Sequence, residues 1–185
     1  GRFNVHSMII CAADLVCVCV CFRVYKDSVF VTVPRWREGV PSTLNRVVQG
    51  PGGDPVLQPF PSWEVNAAGE PGALQYIQSM EVVGNRMWIV DVGRRNIFSA
   101  NASRIINGPP RLVILDLDSL LVVREFVFPD DVAPWTSSFL NDIVVDNRTG
   151  FAYISDASGA GAIVVYDFNR NIARRWAGGA GMQVE

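Results

Sequence analysis

Apolar and polar positions alternate in short runs along most of this chain. No window from Phe22 onward sustains a 3.6-residue apolar period, so the pattern predicts an all-β protein. Ser28–Val33 (SVFVTV) is β-branched and aromatic, and Pro34 stops it. Ile77–Val83 and Arg86–Val92 flank Gly84-Asn85, a hairpin signal. Leu112–Leu117 and Val122–Phe128 form another strand pair, with a turn around Asp118-Ser119. Between these runs, Arg37–Pro61 and Arg94–Pro110 read as long loops.

An internal repeat organises the strands. Met87–Asp91 (MWIVD) and Ala152–Asp156 (AYISD) lie 65 residues apart, while Leu112–Asp116 (LVILD) and Ile163–Asp167 (IVVYD) lie 51 apart. The difference of 14 is close to the length of the Arg94–Pro110 loop, so the second unit has a shorter connection. Each unit reads strand, tight turn, strand ending in Asp, loop, strand ending in Asp, outer strand, which is the layout of a four-stranded propeller blade. A carboxylate at a strand end accepts N–H bonds from the next turn, and that capping role is the simpler reading of Asp116 and Asp167.

Several strings resemble the yellow/major royal jelly protein family. They are Ser28–Trp36 followed by Gly39-Val40-Pro41 and Thr43-Leu44; Pro59-Phe-Pro-Ser-Trp63; Arg86-Met-Trp-Ile-Val-Asp91-Val-Gly93; Pro109-Pro-Arg-Leu-Val113; and, in order, Asn141–Asp146, Phe151–Asp156 and Val164–Phe168. The resemblance covers about residues 24–176. It implies a six-bladed propeller, secretion and a ligand-binding central channel, so about three blades are expected within residues 22–185. Family functions include dopachrome conversion, binding of biogenic amines and a nutritive role. In insect members a Cys precedes the strand that matches Arg86–Asp91 and another precedes the Pro-Pro pair; here those positions are Gly84 and Gly108, so those disulfides cannot form.

Residues 1–21 stand apart. All four cysteines (Cys11, Cys17, Cys19, Cys21) fall there, three of them in a Val-Cys repeat of the kind a translated GT dinucleotide repeat encodes. Non-coding read-through is the first reading, a signal-peptide remnant the second and a membrane helix the last. The apolar run Met8–Phe22 carries Asp14 and is 15 residues long, whereas a span takes about 20. Cys spacing of the zinc type is absent, and His6 is the only histidine.

Lys+Arg is 16 against Asp+Glu 18, a net charge of −2 with no basic stripe, so nucleic acid is not an expected partner, nor is a membrane. Two sequons, Asn101-Ala-Ser103 and Asn147-Arg-Thr149, fit an extracellular glycoprotein. From Phe22 onward there is neither Cys nor His, which removes the usual thiol nucleophile and imidazole base. No phosphate loop is present.

The candidate ligand-binding residues are Asn141, Asp142 and Asp156, at the ends of paired strands that would line a channel, with Arg35 and Trp63 as an aromatic–cation pair of elements able to floor a pocket. Asn141 and Asp156 also offer oxygens to a hard cation and resemble the metal-holding strands of calcium-dependent lactonase propellers, so Ca²⁺ is an alternative to the expectation of no cofactor. The simpler reading of the same residues is that they seal blade junctions. The leading expectation is a secreted propeller holding a small aromatic or amine-type ligand. The alternatives are an enzyme of dopachrome-tautomerase or Ca²⁺-dependent lactonase type, and a structural or nutritive protein.

Overall fold

A computed structural model describes residues 21–98, 105–106, 108–159 and 161–178. The chain folds as three antiparallel four-stranded meanders. The first comprises β1 (Phe22–Tyr25), β2 (Ser28–Thr32), β3 (Leu44–Gln49) and β4 (Pro55–Pro59). The second comprises β5 (Ile77–Val83) and β6 (Arg86–Asp91), a β7–β8 ribbon (Arg94–Arg95, Ile105–Ile106) inside the next connection, then β9 (Arg111–Asp116) and β10 (Val122–Val127). The third comprises β11 (Leu140–Asp146), β12 (Phe151–Asp156), β13 (Ala162–Asp167) and β14 (Ile172–Trp176). Each sheet is a propeller blade. No helix among the described residues is long and apolar enough to cross a membrane.

Two expectations need correcting. Arg37–Pro61, read as a loop, contains β3 and β4, and Arg94–Pro110 contains the β7–β8 ribbon. β4 begins and ends on proline and is exposed along most of its length, as an outermost strand can be because one side of it donates to no ladder. Residues 1–20, the bulk of the segment set apart in the sequence, lie outside the described residues. Cys21 is described, and its carbonyl accepts the Thr32 N–H at 2.9 Å, continuing the β1–β2 ladder.

The sheets stack through two apolar cores, and strand alternation sorts residues between them. On β6, Met87 and Ile89 face the first sheet with Phe30, Leu44, Ile77 and Met80, while Trp88 and Val90 face the third with Leu140, Ile143 and Ile154. On β9, Val113 and Leu115 turn to the first core, Leu112 and Ile114 to the second. The central blade is therefore buried on both faces, and for that reason MWIV and LVIL read as unbroken apolar runs. β5 packs against β1 on one side and β11 on the other, so the first strand of each sheet lies innermost.

The repeat found in the sequence maps onto equivalent strands: β6 with β12, and β9 with β13. Asp116 accepts the N–H groups of Asp118 and Ser119 at 3.0 and 2.8 Å, and Asp167 those of Asn169 and Arg170 at 2.9 and 3.0 Å. Both cap the turn that follows their strand, as the sequence suggested.

Among the described residues, the third sheet has a core on one face only. On the other, paired Val144 and Tyr153 remain 60% and 44% exposed, and Trp176 at the end of β14 is 74% exposed. Open blade faces and edges of this kind associate. Expressed as these 185 residues, the protein is expected to elute from size-exclusion chromatography above its 20.3 kDa monomer mass. A Val144→Lys/Tyr153→Lys variant should shift it toward monomer, and a sharp monomer for the unsubstituted chain would contradict this.

Candidate functional site on the innermost strands

The innermost strands carry a ladder of polar side chains from blade to blade. β5 and β11 each contain a register shift at the same place, between Ile77 and Ser79 and between Leu140 and Asp142. The residue extruded in each case is polar, Gln78 and Asn141, and a bulge re-aims such a side chain out of the alternating pattern. The two meet: Gln78 Nε2 donates to Asn141 Oδ1 at 3.2 Å. One step along the strands, Ser79 Oγ donates to Asp142 Oδ1 at 2.7 Å. On the other side of β5, Arg23 of β1 forms a two-pronged pair with Glu81, both contacts at 3.0 Å. This carboxylate, through its hydrogen bond, raises the Arg23 guanidinium above its usual range despite burial, and Asp142 adds to that at longer range.

Above this ladder sits an aromatic group. The Trp36 indole N–H and the Tyr76 hydroxyl both donate to Gln78 Oε1, at 3.1 and 2.9 Å. Trp36 meets Phe98 edge-on at 5.7 Å between centroids, Phe98 meets Phe139 at 6.4 Å, and Phe139 meets Tyr76 at 6.4 Å. Burial drives the Tyr76 hydroxyl well above the ordinary phenol range, so it acts as a neutral donor.

The residues singled out in the sequence divide in two. Asn141 and exposed Asp142 belong to the axial ladder. Asp156 lies elsewhere in its hydrogen bonding: Oδ1 accepts the N–H groups of Phe139 and Ser158 at 2.8 and 3.0 Å, and Oδ2 pairs with Arg175 at 2.6 Å. Its counterpart Asp91 does the same for the second blade, accepting from Gln75, Tyr76 and Gly93 and pairing with Arg111 at 3.3 Å. Arg35 is buried, and its five N–H bonds reach the carbonyls of Val40, Leu74, Gln75, Pro41 and Asn66 at 2.5–3.0 Å. Trp63 is 56% exposed at the start of a short 3-10 turn, Glu64–Asn66, with no ring or cation stacked on it among the described residues.

An Asn141–Asp156 cation site does not fit this arrangement. Both Asp156 oxygens are engaged, one by a guanidinium, and Asn141 Oδ1 holds Gln78. Among the described residues no three His, Cys, Asp or Glu side chains gather as a metal-ligand group. The sequon residue Asn147 is exposed in the turn after β11, whereas Asn101 lies outside the described residues.

Gln78, Ser79, Glu81 and Arg23 were missed in the sequence. Gln78 and Asn141 are 63 residues apart, close to the 65 that separates β6 from β12, so extending the repeat one strand backwards would have found the first three.

Asp156 also sets an acid limit on the fold. Burial alone would push its carboxyl up, but the Phe139 N–H, Arg175 and Ser158 outweigh this and hold it below the usual range. A carboxyl with a depressed folded-state pKa stabilises fully above its unfolded value of about 3.9, and the stabilisation is lost as pH falls through the folded value. Asp156→Asn is expected to cost about 1.5–3 kcal/mol at pH 7. In urea denaturation the gap between variant and parent should narrow from pH 7 to pH 3; a gap that stays constant would contradict the assignment.

Comparison with known proteins agrees with the blade geometry. A family model described as Major royal jelly protein matches residues 83–177. The chain is 30% identical over 162 residues to Protein yellow of Drosophila madeirensis and to that of Drosophila guanche, covering 82% of this chain and 27% of theirs. It is 29% identical over the same length to Protein yellow of Drosophila melanogaster, covering 29% of that protein. The chain thus spans under a third of the length of these relatives.

Proposed function

Since the chain belongs to the yellow/major royal jelly protein family, we propose that it contributes three blades to a secreted propeller that binds a small aromatic amine against its innermost strands. The observation that carries this reading is the charge and chemistry of the axial ladder. Two carboxylates, Glu81 and Asp142, face one cation, Arg23, which leaves one negative charge in excess. Asp142 Oδ1 holds Ser79 and the Ile143 N–H, and among the described residues no hydrogen bond occupies Oδ2, which leaves it for a ligand. An ammonium group suits that oxygen, because a charge-assisted hydrogen bond is about twice as strong as a neutral one. Trp36, Phe98 and Phe139 lie at the head of the same strands and offer ring faces and edges to an aromatic body.

The ladder is pre-set by its own hydrogen bonds, which lowers the ordering cost of binding. Gln78 fixes Trp36, Tyr76 and Asn141 at once, so the polar and aromatic halves of the site keep their spacing.

Tyramine titrated into the protein, followed by calorimetry, should bind saturably, and the affinity should survive EDTA. Asp142→Asn should weaken binding about tenfold, the scale of one charge-assisted hydrogen bond. Equal affinity in parent and variant, or no binding of tyramine or dopamine, would overturn the reading; loss of stability in EDTA would point to a metal instead.

Export carries its own test. Asn147 sits exposed between Asp146 and Thr149, whose hydroxyl donates to Asp146 at 2.7 Å. Produced in a eukaryotic secretory host, the protein should lose mass on treatment with peptide-N-glycosidase, and Asn147→Gln should remove most of that loss. An unchanged mass for the parent would count against glycosylation at this turn.

A further inference from the structure

A cleft of about 230 Å³ opens between the second and third blades, where Val83 ends β5 and Val145 nears the end of β11. Phe168 and Arg86 line one side of it, and the exposed sequon residue Asn147 is part of the lining. We propose that this cleft seats the first N-acetylglucosamine of a glycan on Asn147, so that the sugar bridges two blades. Glycosylation at Asn147 is the premise taken from the export reading. The docking goes beyond it, since a sequon requires nothing of the surface beside it. The modification forms a bond from Asn147 Nδ2 to the anomeric carbon and breaks that carbon's bond to a lipid-linked diphosphate donor. The amide proton leaves with the diphosphate.

Three observations support the docking. First, the sequon turn is held in place. The Asp146 carboxylate accepts the Arg148 N–H and the Thr149 hydroxyl at 2.9 and 2.7 Å, and the Gly150 N–H bonds to the Asp146 carbonyl at 2.8 Å. The same turn is fastened to the one after β13. Phe168 N–H donates to the Gly150 carbonyl at 3.0 Å, and Asn169 Nδ2 donates to the Thr149 carbonyl at 3.1 Å. Gly150 has a φ of 79°, and a Cβ there would lie 3.0 Å from Asn169 Nδ2, so this approach depends on glycine. Asn147 therefore projects from a fixed base, and a sugar on it meets the cleft at little ordering cost.

Second, the facing wall has the chemistry of a sugar platform. The half-buried Phe168 ring lies 5.5 Å from the buried Trp88 ring, and the Arg86 guanidinium lies 5.2 Å from the Phe168 centroid. Arg86 forms no ion pair among the described residues, so its N–H groups remain for sugar oxygens. The C–H side of a pyranose packs on an aromatic face, while the guanidinium fork donates to hydroxyl and acetamido oxygens.

Third, the size favours a tethered occupant. The cleft is smaller than the roughly 300–1,000 Å³ of pockets that hold free ligands, and is on the scale of a single sugar ring. A short tether gives an effective concentration in the mM range, so contacts too weak to capture a free sugar hold an attached one.

The test uses the whole chain with Asn101→Gln, which leaves Asn147 in its single sequon, secreted from a host that makes high-mannose glycans. Endoglycosidase H then leaves one N-acetylglucosamine on Asn147, and Asn147→Gln supplies the sugar-free reference. In urea denaturation the trimmed protein should have a midpoint about 0.5 M above that reference, the scale of one ring contact divided by a typical denaturant slope. Arg86→Gln should remove at least half of this difference. Arg174→Gln, the same charge change on the outer strand of the third sheet, should leave it whole. Equal midpoints with and without the sugar, or a difference that Arg86→Gln leaves unchanged, overturn the docking while glycosylation stands. No loss of mass with endoglycosidase H would remove glycosylation at Asn147 and the docking with it.

Discussion

The Arg35 guanidinium is the constraint around which the first two blades are arranged. A buried cation normally takes a carboxylate partner, because desolvation costs several kcal/mol per ion. Here five main-chain carbonyls replace the lost water, one for each N–H, and they come from three places: the β2–β3 connection (Val40, Pro41), the 3-10 turn (Asn66) and the approach to β5 (Leu74, Gln75). None of these carbonyls belongs to a strand ladder, so each would otherwise need a partner of its own. Lysine could not substitute, having three donors where the site uses five. Asn66 completes the corner. Its side chain accepts the N–H groups of Thr43 and Leu44 at 3.1 and 2.9 Å and donates to the carbonyls of Phe60 and Ser62 at 2.9 and 3.0 Å. Two polar residues thus fix the path by which the first sheet hands over to the second. Trp36, next to Arg35 in sequence, is delivered to Gln78 by the same anchoring.

Burial on two faces is the second organising feature, and it explains which parts of the fold were legible. The central blade must be apolar from Met87 to Val90 on β6 and from Leu112 to Leu115 on β9, so those strands stood out, and the repeat that links them to β12 and β13 located the third blade. The first blade was largely concealed. β3 (LNRVVQ) and β4 (PVLQP) mix polar residues and proline with few apolar ones, because they lie toward the outside of a sheet whose core is closed by Phe30, Leu44 and Phe60. Composition marks such strands as loop, and only pairing reveals them: Arg46↔Gln58 through Gln49↔Pro55 form an unbroken register.

The candidate site was legible in half for a similar reason. Asp156 drew attention as an acid repeated at a strand end, yet repetition at Asp91 and Asp156 reflects a shared mechanical task. Each accepts N–H groups from the chain that enters its own first strand, from Gln75 and Tyr76 in one blade and Phe139 in the other, and each is neutralised by an arginine. The arginines are not equivalent, Arg111 coming from β9 and Arg175 from β14. The carboxylate task is therefore constant, and the partner is whatever the local sheet can supply.

Residues that differ between blades at equivalent positions carry the individual chemistry. One position reads Gln78 in the second blade and Asn141 in the third, the next Ser79 and Asp142, and a third Glu81 and Val144. A purely structural requirement would have favoured the same residue twice, as it did for Asp. What is common to the two strands is the bulge, which turns a side chain out of the core pattern without dictating its identity. The fold thus supplies a repeated opening, and the sequence fills it differently each time: an amide and a hydroxyl with Glu81 in one blade, an amide and a carboxylate in the next. The ladder's net acidity follows from those unequal choices, while the Asp-capped framework stays fixed.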